Sequence, residues 1–452
     1  QTIDQVGLYG GAARWFFDVG TGHEATPERA RWMRALACRA IWAAHGPRPG
    51  PVHLNWPLRE PLVPPGDLGA DPLPGRADGR PWLDRPRVAA TASAAALDEA
   101  LAAAHRPVVV AGRAEADPEL PAAVAAFAER LGAPLLADPL SRARCGPSAI
   151  AHYDALLRVD AFRERMHPDL VVRVGDLPTS KPLRQWLAAL DAPQVAFAPE
   201  SVWHDPDGVL ATLLGGDPRA TLDGARAGTA APPAWLRGWR QPDERAGAII
   251  DTTLRMGEPL VARALVARLP PAACLVVASS MPVRDVETFA PVRDDGGPRV
   301  LANRGANGID GTVATALGVA ASGAPTVLLI GDVALVHDLG GLASAVRLEL
   351  PLAVVCLDNG GGGIFEFLPV AEARDAFEEH VATPPGLDLP AVAAGLGLRV
   401  ARPTSPEAVG RAIGRTWHRG RPALIHVPTD RRANVEAHRE MWDRIAVTIR
   451  TK

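Results

Sequence analysis

The residues in this sequence best suited to chemistry are Asp332 and Asn359, because each stands where an apolar run stops. Val327 to Ile330 ends at Gly331-Asp332, and Leu352 to Leu357 ends at Asp358-Asn359. If those two ends lie together, an acidic oxygen, an amide oxygen and the carbonyls of Gly360 to Gly363 converge. Such an all-oxygen set suits a hard divalent cation like Mg2+ that keeps phosphate and water as its other ligands. The glycines also let backbone approach a diphosphate closely. Ser280 and Arg284 follow the apolar run CLVVAS, and Arg304 follows VLAN. A single surface arginine is ordinarily just solvated. Placement at the ends of strands in one sheet favours a role in a site.

The elements that must position these groups can be read from periodicity. Val336, Leu339, Leu342, Ala343, Val346 and Leu350 recur at helical spacing between the two apolar runs, and Pro351 ends the pattern. This is a βαβ unit. Its right-handed crossover lays the strands in parallel, so Asp332 and Asn359 both emerge at carboxyl ends, where open α/β sheets bind ligands. The ordinary alternative is a βαβ unit with a flexible glycine turn, and the pairing of the two strand ends is what argues against it. His337 falls one turn into the helix and reads as structural or solvated.

With 452 residues, 47% of them hydrophobic, the chain is long enough for two or three domains with their own cores. A net charge of -3 gives no basic field for nucleic acid, and no apolar run is long enough to span a bilayer. The expected partners are small molecules and other protein subunits. Cys38, Cys145, Cys274 and Cys356 lack CxxC spacing and read as free thiols in a reducing cytoplasmic setting.

The expected organisation is a stretch over 1–61 too short for a domain, a Pro- and Gly-rich linker over 62–87, and a central α/β domain over 88–204. A second linker follows over 205–246, and the last α/β domain, 247–452, closes with the strand ALIHVPTD. The run VVVAG in the central domain is not followed by GxGxxG, so no dinucleotide site is expected there.

Gly331-Asp332, then a helix and strand, then Asp358-Asn359 with GGGGIFEFLP behind it, resemble the thiamine-diphosphate motif, conventionally GDG followed by NN. Within that superfamily the chain is most similar to the 2-succinyl-5-enolpyruvyl-6-hydroxy-3-cyclohexene-1-carboxylate synthases of menaquinone biosynthesis. The stretches SSMPVRDVE from Ser279, NRGANGIDG from Asn303 and TSKPLRQW from Thr179 agree, and the match covers nearly the whole chain. The resemblance implies the thiamine-diphosphate-binding fold, α/β with parallel sheets flanked by helices, as a truncated first domain plus two full ones. It implies thiamine diphosphate held through Mg2+, with Mn2+ as the alternative ion. The metal ligands would be Asp332, Asn359 and Gly361. The cofactor would touch Gly308, Ile309, Gly331, Asp332, Val333, Ala334, Asn359, Gly361 and Ile364, with Ile309 as the apolar wedge that keeps it bent. The substrates would be 2-oxoglutarate and isochorismate, each with two carboxylates. Gln1, Lys181, Ser280, Arg284, Arg304, Phe365 and Leu368 would face them, the cations meeting carboxylates. A family arginine beside the lysine is Pro182 here.

Two departures stand out. Val333 replaces the last glycine of the general motif, as is usual in this family. Asp358 replaces the first asparagine; the metal ligand implied is the second one, Asn359, so the change leaves that site intact while adding a negative charge beside the diphosphate. In the family QTIDQVGLYG and PGPVHLNWPLREPL belong to the end of the pyrimidine-binding domain, whose glutamate-bearing part is absent from this sequence. The chain as given is therefore expected to turn over little substrate. A homodimer or homotetramer is implied. The alternatives are a related 2-oxoacid decarboxylase or acetolactate-type synthase, and a catalytically silent cofactor-binding remnant.

Overall fold

The computed structural model describes residues 3–21, 26–46, 49–60, 62–63, 66, 71, 74–83, 94–115, 117–197, 204–226, 230–305 and 308–450. The chain divides into two compact units. The first comprises Gln1–Thr91 with Ala198–Trp203 and Gly215–Asp217, and the second Ala92–Phe197, His204–Leu214 and Pro218–Lys452.

The first unit holds one βαβ turn of chain. β1 (Trp15–Asp18) and β2 (Val52–Asn55) pair in parallel, with Trp15 opposite Val52. The helix Pro27–Ala44 connects them, and the Thr26 hydroxyl caps its start by accepting from the Arg29 N–H. That helix fully buries only Leu36, while Ile41, Trp56 and Leu58 stay exposed. None of the described residues of 62–87 lies in a helix or strand.

The second unit is built on two parallel sheets. β3 (Pro107–Ala111), β4 (Leu135–Ala137), β5 (Leu170–Val174), β6 (Gln194–Phe197) and β7 (Thr212–Leu214) form a five-stranded sheet in the order β4-β3-β5-β6-β7. β8 (Cys274–Val277), β9 (Arg299–Leu301), β10 (Thr326–Gly331), β11 (Leu352–Asp358), β12 (Arg399–Ala401) and β13 (Ala423–Pro428) form a six-stranded one, ordered β12-β13-β11-β10-β8-β9. Alternate residues of β10 face opposite ways into separate cores, Leu328 and Ile330 into one, Val327 and Leu329 into the other. A strand covered on both faces has to be apolar throughout, which is why these strands read as unbroken runs. After β8 the chain crosses to β9 on one side, and after β10 it crosses to β11 on the other. The carboxyl ends of β8 and β10 therefore flank a topological switch point, where the loops diverge and leave a crevice.

Three features differ from the expectations. The helix between β10 and β11 is broken at Asp338 into Asp332–His337 and Leu339–Arg347. The passage 205–246, read as a linker, contains β7, the helix Pro218–Gly224 and the first part of a helix over Pro233–Thr253. Its Gly and Pro content suggested a connector, yet Trp235, Trp239, Ala246 and Ile250 are buried at helical spacing and hold the helix through Pro242. The chain also does not close on β13, since the helix Arg431–Arg450 follows and buries Met441, Ile445 and Ile449 in the core around Trp239. Among the described residues no helix is long and apolar enough to cross a membrane.

Candidate active site

The crevice at the switch point is a cavity of about 380 Å³. Ser280 and Arg284 after β8, Arg304 after β9, Ile309, Gly331 to Ala334 after β10, and Asn359, Gly361, Ile364 and Phe365 after β11 all line it. Sequence separation of up to about a hundred residues is thus closed by the parallel register of β8, β10 and β11.

One wall has the donors for a cation. The Asp332 carboxylate is almost wholly buried, and its Oδ2 accepts the Gly361 N–H at 2.7 Å. Burial pushes this carboxyl up to about 6, against the lowering effect of the Val333 and Gly361 N–H groups. Asn359 donates Nδ2–H to Glu258 Oε1 at 2.8 Å, and Thr429 donates its hydroxyl to the same oxygen at 3.1 Å. This fixes the amide so that Asn359 Oδ1 is buried with no partner. A buried carboxylate beside an orphaned amide oxygen is what a divalent ion would satisfy. The loop cannot carry a side chain at Gly361, whose φ is +140° and whose Cβ would sit 2.7 Å from the Ala382 carbonyl oxygen. Among the described residues no group of three or more His, Cys, Asp or Glu is placed to hold a metal ion. The Asp358 carboxylate is hydrogen-bonded to His426 Nε2 on β13 at 2.7 Å.

The opposite wall is cationic. Ser280 has a φ of +72°, rare for a residue with a side chain, and its carbonyl accepts from Arg284 Nη1 at 2.6 Å. Burial and the like charges of Arg304 and Arg184 hold the Arg284 guanidinium below the usual arginine value. A second cavity of about 410 Å³ adjoins the first and shares Arg184, Met281, Arg284 and Ile364 with it. Lys181 and Leu368 line only this second space. Gly308 is exposed just ahead of Ile309 and lines neither. Ile309 itself is half-buried and also packs on the core, while His337 is half-exposed with Asp310 3.7 Å away. Gln1 lies outside the described residues.

Sequence reasoning missed Glu258, Arg184, Met281, His438 and Trp442. Arg184 had a usable signal, because it lies three residues after Lys181 in a helical stretch and so shares its face. Glu258 had none.

Residues 76–277 match the family model described as the middle domain of thiamine pyrophosphate enzymes, and residues 288–427 match the thiamine pyrophosphate enzyme C-terminal TPP binding domain. The 2-succinyl-5-enolpyruvyl-6-hydroxy-3-cyclohexene-1-carboxylate synthase of Myxococcus xanthus is 39% identical over 470 residues, covering 99% of this chain and 79% of that protein. The synthases of the same name from Rubrobacter xylanophilus and Geobacillus thermodenitrificans are 42% and 38% identical, covering 98% and 99% of this chain and 78% of each of theirs. A chain this similar along its length, with both thiamine pyrophosphate enzyme domains matched, is a thiamine-diphosphate enzyme of the 2-succinyl-5-enolpyruvyl-6-hydroxy-3-cyclohexene-1-carboxylate synthase family.

Proposed function

We propose that the protein joins 2-oxoglutarate to isochorismate with loss of carbon dioxide, forming 2-succinyl-5-enolpyruvyl-6-hydroxy-3-cyclohexene-1-carboxylate in menaquinone biosynthesis. The observation that carries this reading is a cavity lined both by a buried carboxylate–amide pair, Asp332 and Asn359, and by three guanidinium groups, those of Arg184, Arg284 and Arg304. Thiamine diphosphate, when bound, supplies the electron sink for decarboxylation and for forming the new carbon–carbon bond. The chain's own residues bind, orient and shield. Asp332, Asn359 and the Gly361 carbonyl would hold Mg2+ or Mn2+. Gly331, Val333, Ala334 and Ile364 would wall the diphosphate, and Ile309 would support the cofactor's apolar middle. Arg284 and Arg304, with Lys181 in the adjoining space, would hold substrate carboxylates, and Ser280 would offer its hydroxyl. Phe365 and Leu368 would keep water from the reacting carbon.

A pyruvate-using decarboxylase or acetolactate-type synthase has one carboxylate per substrate to recognise, and the cationic wall exceeds that need. The reading carries with it a cytoplasmic location and a homodimer or homotetramer, which sizing of the purified protein would test. For the reaction itself, the protein expressed from its own gene is loaded with Mg2+ and thiamine diphosphate and given both substrates. Mass spectrometry should find the adduct only when isochorismate is present. Carbon dioxide release from 2-oxoglutarate without any adduct would favour a simple decarboxylase, and no consumption of either substrate would overturn the proposal.

A further inference from the structure

We propose that Arg184 is a substrate-binding residue of this site, its guanidinium joining Arg284 at the wall shared by the two cavities to hold the distal carboxylate of a dicarboxylic 2-oxo acid. The assignment rests on the proposed function and deepens it by naming what selects a dicarboxylate donor over a monocarboxylate one.

The helix that carries Arg184 is built to present it. Ser180 caps Lys181–Ala189 by accepting the Leu183 N–H, and its hydroxyl donates to Asp154 Oδ2 at 2.7 Å. The Thr179 N–H donates to Asp138 Oδ2 at 2.7 Å. On the inner face of the helix Leu183 and Trp186 are buried in the core. With the start and one face fixed, Lys181 and Arg184 are left on the open face, toward the second cavity.

Charge balance points the same way. Arg184 and Arg304 both act as like charges on Arg284, so three guanidinium groups crowd one wall. The acids of the second cavity are already engaged: Asp154 by Arg158 and Ser180, Asp285 by His438, and Glu287 by Arg144 and Tyr153. Among the described residues the Arg184 guanidinium has no hydrogen-bond or ion-pair partner. Clustered cations whose neighbouring acids are engaged with other partners are what an incoming carboxylate relieves, and a planar fork holds it in two-point contact. Position decides which carboxylate. The reacting end of the donor must lie toward Ile309, which would support the cofactor's middle, so its far end is left for the wall shared with the second cavity, where Arg184 and Arg284 stand.

The test uses the full chain with Mg2+ and thiamine diphosphate, titrated calorimetrically with glutarate and with valerate. These unreactive probes have the same chain length and differ by one carboxylate. Wild type should bind glutarate more tightly than valerate. Arg184→Gln should weaken glutarate binding about ten-fold or more, the loss expected for one charge-assisted contact, while valerate and cofactor affinities stay as in wild type. Arg184→Lys should recover part of the loss. Glutarate affinity unchanged in Arg184→Gln, but lowered in Arg284→Gln and Arg304→Gln, would overturn the assignment of Arg184 and leave the proposed function standing. A wild-type chain that does not distinguish glutarate from valerate would overturn both.

Discussion

Asn359 can offer its oxygen to a cation only because Glu258 takes its amide hydrogens, so the site depends on a carboxylate that would never touch the metal. Removing it should free the amide to rotate. Glu258→Ala is expected to lower Mg2+ affinity, measured calorimetrically with thiamine diphosphate present, by about 10–100-fold. Glu258→Gln keeps an acceptor oxygen and should restore most of it; equal affinity in all three proteins would remove Glu258 from this role. Burial has a second consequence at Asp332. Its carboxyl titrates near 6 when folded, above the ordinary 3.8, so the folded chain holds this proton more tightly than the unfolded one. Stability of the metal-free protein should therefore fall as pH rises from about 4 to 6 through this group, and added Mg2+ should restore it above pH 6. Below pH 6 the ion must displace a proton, and its affinity should drop about ten-fold per pH unit. Metal affinity that is flat from pH 5 to 7 would contradict the raised carboxyl. Neither Glu258 nor its effect was legible in the sequence. A glutamate in the first turn of a helix is what helix electrostatics favours anyway, and its partner is 101 residues away.

At the scale of elements, legibility followed burial pattern. The βαβ unit around Asp332 could be read because β10 and β11 are covered on both faces and are apolar throughout. The helix Pro233–Thr253 could not, because local composition and tertiary burial disagree there, and burial decides. Ser280 shows a different limit: no residue pattern announces a backbone bent into positive φ before a helix. Its conformation, φ +72° with ψ −135°, costs about 1–3 kcal/mol for a residue with a Cβ. Ser280→Ala and Ser280→Gly remove the same hydroxyl, but only glycine relieves the strain. Ser280→Gly should thus be about 1 kcal/mol more stable than Ser280→Ala in urea denaturation. Equal stabilities would mean that the turn relaxes when the hydroxyl is lost.

The second unit has two sheets, each with buried clusters of its own, and one further core that the parts built on them share. Trp239, fully buried, meets Phe162, Trp186 and Trp235 edge-on at 5.1, 5.8 and 6.3 Å, and all belong to the part built on the five-stranded sheet. The same core takes in Phe289, from the helix that carries Arg284, and Met441, Ile445 and Ile449 from the C-terminal helix. Arg144 adds a polar tie, donating to the Glu287 and Ala290 carbonyls beside Phe289. Because the crevice needs β8 and Lys181–Ala189 held in one frame, this shared core is what keeps Arg184 near Arg284. Trp239→Ala should cost about 3–5 kcal/mol through lost burial and the cavity left behind. If the core is truly shared, the loss appears as a downshift of one cooperative transition, followed by far-UV circular dichroism in urea, with the slope of the transition unchanged. Two resolved transitions, with only the earlier one moved by the substitution, would show instead that each sheet folds on its own and that the crevice between Arg184 and Arg284 is held by weaker contacts.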